Sequence, residues 1–141
     1  MNKGKHCVFQ LDYHIVLVVK YRKKCLTKEI GDDIILKCKE LVELNDGTLT
    51  EGNHDVDHIH LLVSLPPKIC LSSFMGSLKN TTSRYVRKKY SSYLSKYLYG
   101  DSFWSDSYYV STTGGASIET IKKYIENQGK PKRKYVKAQR T

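Results

Sequence analysis

Asp57-His58-Ile59-His60-Leu61-Leu62-Val63-Ser64 decides the reading of this chain. On a strand alternate side chains share a face, so Ile59, Leu61 and Val63 point to one side and His58 and His60 to the other. A sheet with helices on one face and a second, free face is the architecture this alternation implies. Pro66-Pro67 ends the strand, because proline cannot donate to a ladder. Upstream, Thr48 to His54 pairs with it as a hairpin whose turn the sequence leaves unset.

Further out, Tyr13 to Tyr21 (YHIVLVVKY) is almost continuously apolar and β-branched, the pattern of a central strand buried on both faces. Between these strands Thr27 caps a helix with Ile30, Ile34, Ile35, Cys38, Leu41 and Val42 at helical spacing, which stops at Asn45-Asp46-Gly47. After the prolines, Ser72 or Ser73 caps a second helix that carries Phe74, Leu78, Tyr85, Val86 and Tyr90 on its packing side. Ser91 to Gly100 reads as a short helix or irregular chain, and Tyr108 to Thr112 as a fourth strand. Beyond Gly114-Gly115, Ser117 caps a last helix, Ile118 to Gln128, with Gly129 and Pro131 placed to end it. The order is that of an α+β, ferredoxin-like fold: a split β-α-β unit, an antiparallel four-stranded sheet, helices on one face and an added C-terminal helix.

The chain has 141 residues and 40% hydrophobic content, which suit a single domain with one core. That core covers about residues 8–129, and the tail 130–141 holds six Lys or Arg and no acid. Against 14 Asp and Glu stand 24 Lys and Arg, a net charge of +10 that favours a polyanionic partner, nucleic acid first. Cys7, Cys25, Cys38 and Cys70 form no CxxC pair and read as reduced, buried thiols. The longest apolar run, Ile15 to Val19, is far below the roughly 20 residues of a membrane span. A cytoplasmic protein is expected.

His58 and His60 can supply two nitrogens to a divalent metal and leave positions open for phosphate and water, or they can be structural. Tyr124 and Gln128, four residues apart, share one helix face beside Ile118, Ile121 and Ile125. Spacing alone favours an ordinary core tyrosine with a solvated glutamine. A phenol with a pKa near 10 is a poor nucleophile until a nearby cation or metal-bound phosphate activates it.

Taken together, YHIVLVVKYRKK, DHIHLLVSLPP, SLKNTTSRYVRKKY, FWSDSYYVSTTGG and KYIENQ resemble, in order and spacing, the single-tyrosine HUH transposases (TnpA type) of the smallest bacterial and archaeal insertion sequences. The resemblance covers residues 13 to 128. It implies that His58 and His60 are the paired metal ligands, that Gln128 completes a Mg2+ or Mn2+ site, and that Tyr124 is the nucleophile. It further implies cleavage and rejoining of single-stranded DNA through a 5'-phosphotyrosine link, hairpin-bearing element ends as targets, and a homodimer whose tyrosine helices can exchange about Gly114-Gly115. Lys79, Arg84, Arg87 and Lys88 on the second helix are candidate phosphate contacts, or a solvated basic face.

In that family Pro-Asp commonly precedes the first histidine, whereas Asn53-His54-Asp55-Val56-Asp57 stands here, so an altered turn is expected. His54 is then a turn histidine or an additional ligand. His14 is expected to be buried beside the histidine pair, and Asp57 and Glu126 are candidates for hydrogen bonds to the ligands. Trp104 and the tyrosines either stack on bases or pack. Two other functions fit the same elements: a non-catalytic module binding single-stranded nucleic acid, and a domesticated enzyme like the REP-associated tyrosine transposases.

Overall fold

The structure, a computed structural model, describes residues 10–98, 100, 102–112 and 118–128. Four strands, β1 (Leu11–Val18), β2 (Thr48–His54), β3 (His58–Leu65) and β4 (Tyr109–Thr112), form an antiparallel sheet in the order β2-β3-β1-β4. Helices α1 (Lys28–Leu44) and α2 (Leu71–Lys89) cross between strands, α3 (Ser91–Leu94) is a single turn, and α4 (Ile118–Asn127) closes the described chain. This is the ferredoxin-like arrangement expected.

One face of the sheet forms the core. Ile15 and Leu17 of β1 and Ile59, Leu61 and Val63 of β3 join Ile30, Ile34, Cys38 and Val42 of α1 and Phe74, Met75, Leu78 and Val86 of α2 in one apolar cluster. Thr27 caps α1 as its position predicts, its hydroxyl accepting from the Ile30 amide at 3.1 Å. Where α1 crosses β2 the approach is close: a Cβ on Gly52 would lie 2.6 Å from Ile35 Cγ2. Asp33 ties the helices together, accepting from Tyr85 and Tyr90 hydroxyls and from Lys89 Nζ, the last at 2.7 Å.

Several expectations need correction. The first strand begins at Leu11 and stops at Val18, where a 3-10 turn over Lys20–Arg22 replaces the expected extension to Tyr21. Helix α2 is capped by Cys70, whose extended backbone makes it the boundary residue, so Ser72 and Ser73 fall inside the first turn. Cys70 is accordingly exposed, unlike the buried Cys25 and Cys38. The second sheet face is not wholly free, since Val16 and Val18 on it are fully buried. Trp104 packs rather than presenting itself to a base: it is 4% exposed and donates from Nε1 to Thr82 Oγ1 at 2.9 Å. Gly114-Gly115, Ser117, Cys7 and the tail 130–141 lie outside the described residues.

Candidate active site

The alternation of β3 sends His58 and His60 to the face opposite the core, while Ile59 and Leu61 between and beyond them are fully buried. His58 Nδ1 lies 2.9 Å from Asp57 Oδ1, so Nδ1 donates to the carboxylate and Nε2 is the nitrogen turned toward a ligand. Asp57, 3% exposed, also accepts from Arg22 Nε at 3.0 Å through its other oxygen. Burial opposes its ionisation, yet the hydrogen bonds from His58 and Arg22 outweigh it and hold the carboxyl below its ordinary value. The orientation of His58 is thus fixed by a buried, charged carboxylate.

His60 lies beside His14: their rings stack at 5.2 Å between centroids, and His60 Nε2 is 3.1 Å from His14 Nδ1. Burial, with the neighbouring His14 and His58, pushes the His60 pKa down and favours neutral imidazole, the form that ligates metals. His14 therefore does sit beside the pair on the same face. Cross-strand partners share a face, and the row continues from His60 through Val16 of β1 to Tyr109 of β4. Two strand spacings, about 10 Å, separate the ends of that row.

At the far end stands Tyr124. Its ring meets that of Tyr109 at 5.6 Å, and its hydroxyl is 2.9 Å from Ser107 Oγ. The same Ser107 hydroxyl donates to Gln128 Oε1 at 3.4 Å, so one serine on the segment before β4 gathers the two residues that α4 presents at i and i+4. Burial raises the Tyr124 pKa, countered in part by the Ser107 hydrogen bond. The phenol is held neutral and in place. Ser107 carried no signal in the sequence: a lone serine between Asp106 and Tyr108 has no spacing that marks it.

Two imidazoles, one oriented by a carboxylate and the other held neutral by burial, suit a divalent cation, and the Gln128 amide oxygen is a further hard donor on the same side. Among the described residues no three His, Cys, Asp or Glu side chains cluster to hold a metal by themselves. No hydrogen bond among the described residues joins the histidine pair to Tyr124 and Gln128 directly. A cation taken at His60 Nε2 would replace its bond to His14.

His54 is resolved against the additional-ligand alternative. It ends β2, pairs with Ile59, and turns its ring onto α1, with Nε2 3.2 Å from Asp32 Oδ1. Among the basic residues of α2, Arg84 and Lys88 are exposed and Arg87 is half-buried. Lys79 is drawn inward, its ammonium donating to the carbonyls of Ser105 at 2.8 Å and Asp106 at 3.1 Å.

Residues 7–128 match the model of the family described as transposase, IS200 like. The chain is 32% identical to the ISDra2 transposase TnpA of Deinococcus radiodurans, over 91% of each protein. It is 33% identical to the transposase for insertion sequence element IS200 of Salmonella typhimurium, over 87% of this chain and 80% of that one. Its fold matches a crystal structure assigned to a transposase from D. radiodurans R1 with a TM-score of 0.77, at 28% identity, over 93% of this chain and all of that one. A REP-associated tyrosine transposase bound to a REP hairpin shares the fold at a TM-score of 0.52 and 11% identity, over 89% and 68%.

Proposed function

The chain belongs to the IS200-like transposase family, and from that membership we propose that it cuts and rejoins single-stranded DNA at insertion-sequence ends, with Tyr124 as nucleophile and His58, His60 and Gln128 as ligands of Mg2+ or Mn2+. The observation that carries the reading is the single sheet face that bears both halves of the site. His58 and His60 lie on it in β3, and Tyr124 docks on its Tyr109 with Gln128 alongside.

A divalent cation bound there supplies Lewis-acid polarisation of a phosphate oxygen. Asp57 keeps His58 aimed, and burial keeps His60 neutral and able to donate its lone pair. Ser107 holds the Tyr124 hydroxyl so that its oxygen can reach a phosphorus laid across the face. The phenolic oxygen attacks phosphorus, the P–O3' bond breaks, and the strand leaves as a 3'-hydroxyl while its partner stays on the tyrosine as a 5'-phosphodiester. Attack by another 3'-hydroxyl reverses the exchange, so no bond energy is lost and no nucleotide cofactor is consumed. Hairpin-bearing ends, a homodimer and phosphate contacts from Arg84, Arg87 and Lys88 complete the proposal.

The test is substrate choice. Incubated in Mg2+ with DNA from the gene's flanks, the protein should release a 3'-hydroxyl fragment and retain the other fragment covalently from the single strand only. Equal cleavage of duplex DNA, or free 5'-phosphate ends without a protein link, would contradict it.

A further inference from the structure

Tyr21 is, among the described residues, the one aromatic side chain that is exposed, at 70%. The other described tyrosines pack against the core or against one another, and Phe74, Phe103 and Trp104 are buried. Tyr21 is also left-handed, with φ 57°, and so is Arg22 next to it, at φ 52°. Non-glycine residues avoid this region, a bulky aromatic strongly so, and such conformations persist only where the surroundings impose them. Here they are imposed several times over. The Lys20 amide bonds to Phe103 O at 2.9 Å, the Arg22 amide to Val19 O at 2.7 Å, Lys20 Nζ to Asp106 at 2.9 Å, and Arg22 Nε to Asp57 at 3.0 Å.

A glycine at position 21 would relieve the backbone, yet a tyrosine is kept with its ring in solvent. Packing does not account for that ring. Its surroundings match what a single strand requires: Lys20, Arg22, Lys23 and Lys24 flank it, Lys20 Nζ lies 5.6 Å from its centroid, and Lys23 and Lys24 pair with no carboxylate among the described residues. Aromatic rings set among cations bind unpaired bases by stacking while the cations track phosphates. The corner is also bolted to the histidine site, since Val18 pairs with His58, the Val19 amide bonds to Asp57 O, and Arg22 holds the carboxylate that orients His58.

We propose that Tyr21 is a stacking platform for one unpaired nucleobase of the DNA strand, next to the phosphate held at His58. The inference rests on the single-strand reading above and adds a base-binding position to it.

The test uses the full chain in EDTA, so that no cleavage occurs, with a single-stranded oligothymidylate carrying one 2-aminopurine. Wild type and Tyr21→Phe should bind it and quench the fluorescence of the probe base. Tyr21→Ala should bind about 5- to 100-fold more weakly, the range expected for one stacked base, and lose the quench. Tyr21→Gly should lose binding equally while melting a few degrees higher, because the strained backbone is relieved. A merely structural tyrosine would give the opposite pattern, with binding following stability across the variants. If wild type binds and Tyr21→Ala binds and quenches equally, the platform is overturned while the single-strand reading stands. If wild type does not bind single-stranded DNA at all, both fall.

Discussion

Asp57 Oδ1 lies 2.9 Å from His58 Nδ1 and fixes which imidazole nitrogen is left to bind. Because Asp57 is buried and shared with Arg22, His58 cannot turn without breaking a charged contact. A ligand held in this way loses little freedom on binding, and loss of such an orienting carboxylate typically costs 10- to 100-fold in metal affinity. Asp57→Asn should therefore weaken Mn2+ binding by roughly that factor, measured by calorimetry on the DNA-free protein. Unchanged affinity in a folded variant would remove Asp57 from the site.

When Tyr124 ionises, Ser107 can turn its one hydroxyl proton from Gln128 Oε1 to the phenolate and so favour the ionised form, against the burial that raises the phenol's pKa. With Ser107→Ala the pKa should move further up, so formation of the protein–DNA link should slow by a constant factor through neutral pH, and the deficit should shrink only as pH climbs past the raised pKa of the wild-type phenol. Superimposable pH–rate profiles for wild type and variant would show that the bond has no such effect.

Gly31 leaves room for the His54 ring: a Cβ there would sit 2.2 Å from His54 Cε1. Gly31→Ala should cost about 1–3 kcal/mol through overpacking. Combined with His54→Ala the cost should vanish, since alanine is otherwise the better helix residue. Chemical denaturation of the four variants measures the coupling, and additive effects would mean that the two do not meet. DNA cleavage should be unaffected by His54→Ala, because the ring lies on the core side of the sheet.

Asp33 and Asp57 are the buried or half-buried carboxylates held below their ordinary pKa, Asp33 by hydrogen bonds from Lys89, Tyr90 and Tyr85. In the unfolded chain both return to about 3.9. Depressed folded values mean that their stabilisation is fully present above that pH and is lost as pH falls through the folded values. Asp33→Asn should accordingly lower the melting temperature by a few degrees at pH 7 and flatten its decline below pH 4. An undiminished acid slope would place the titrating groups elsewhere.

Much of this architecture is legible from local pattern. The HxHxLxV alternation sets the faces of β3, the β-branched run of Ile15 to Val19 marks the centre of the sheet, and Thr27 marks the start of α1. What escapes is set by contacts between distant segments. The break after Val18 is fixed by Phe103 and Asp57, the placement of His54 by Gly31, and the role of Ser107 by a helix that starts eleven residues later at Ile118. Lys79 shows the same limit, because its helical position offers it to solvent while two carbonyls of the 105–106 segment draw it in.

The central claim is that the Tyr124 oxygen becomes the covalent partner of the cleaved strand. Wild type and Tyr124→Phe, incubated with labelled single-stranded DNA from the gene's flanks with and without Mg2+, should bind it equally, and a denaturing gel should show a Mg2+-dependent protein–DNA adduct in the wild type alone. An adduct of the same yield in Tyr124→Phe, or binding with no adduct in either Mg2+ or Mn2+, would contradict it.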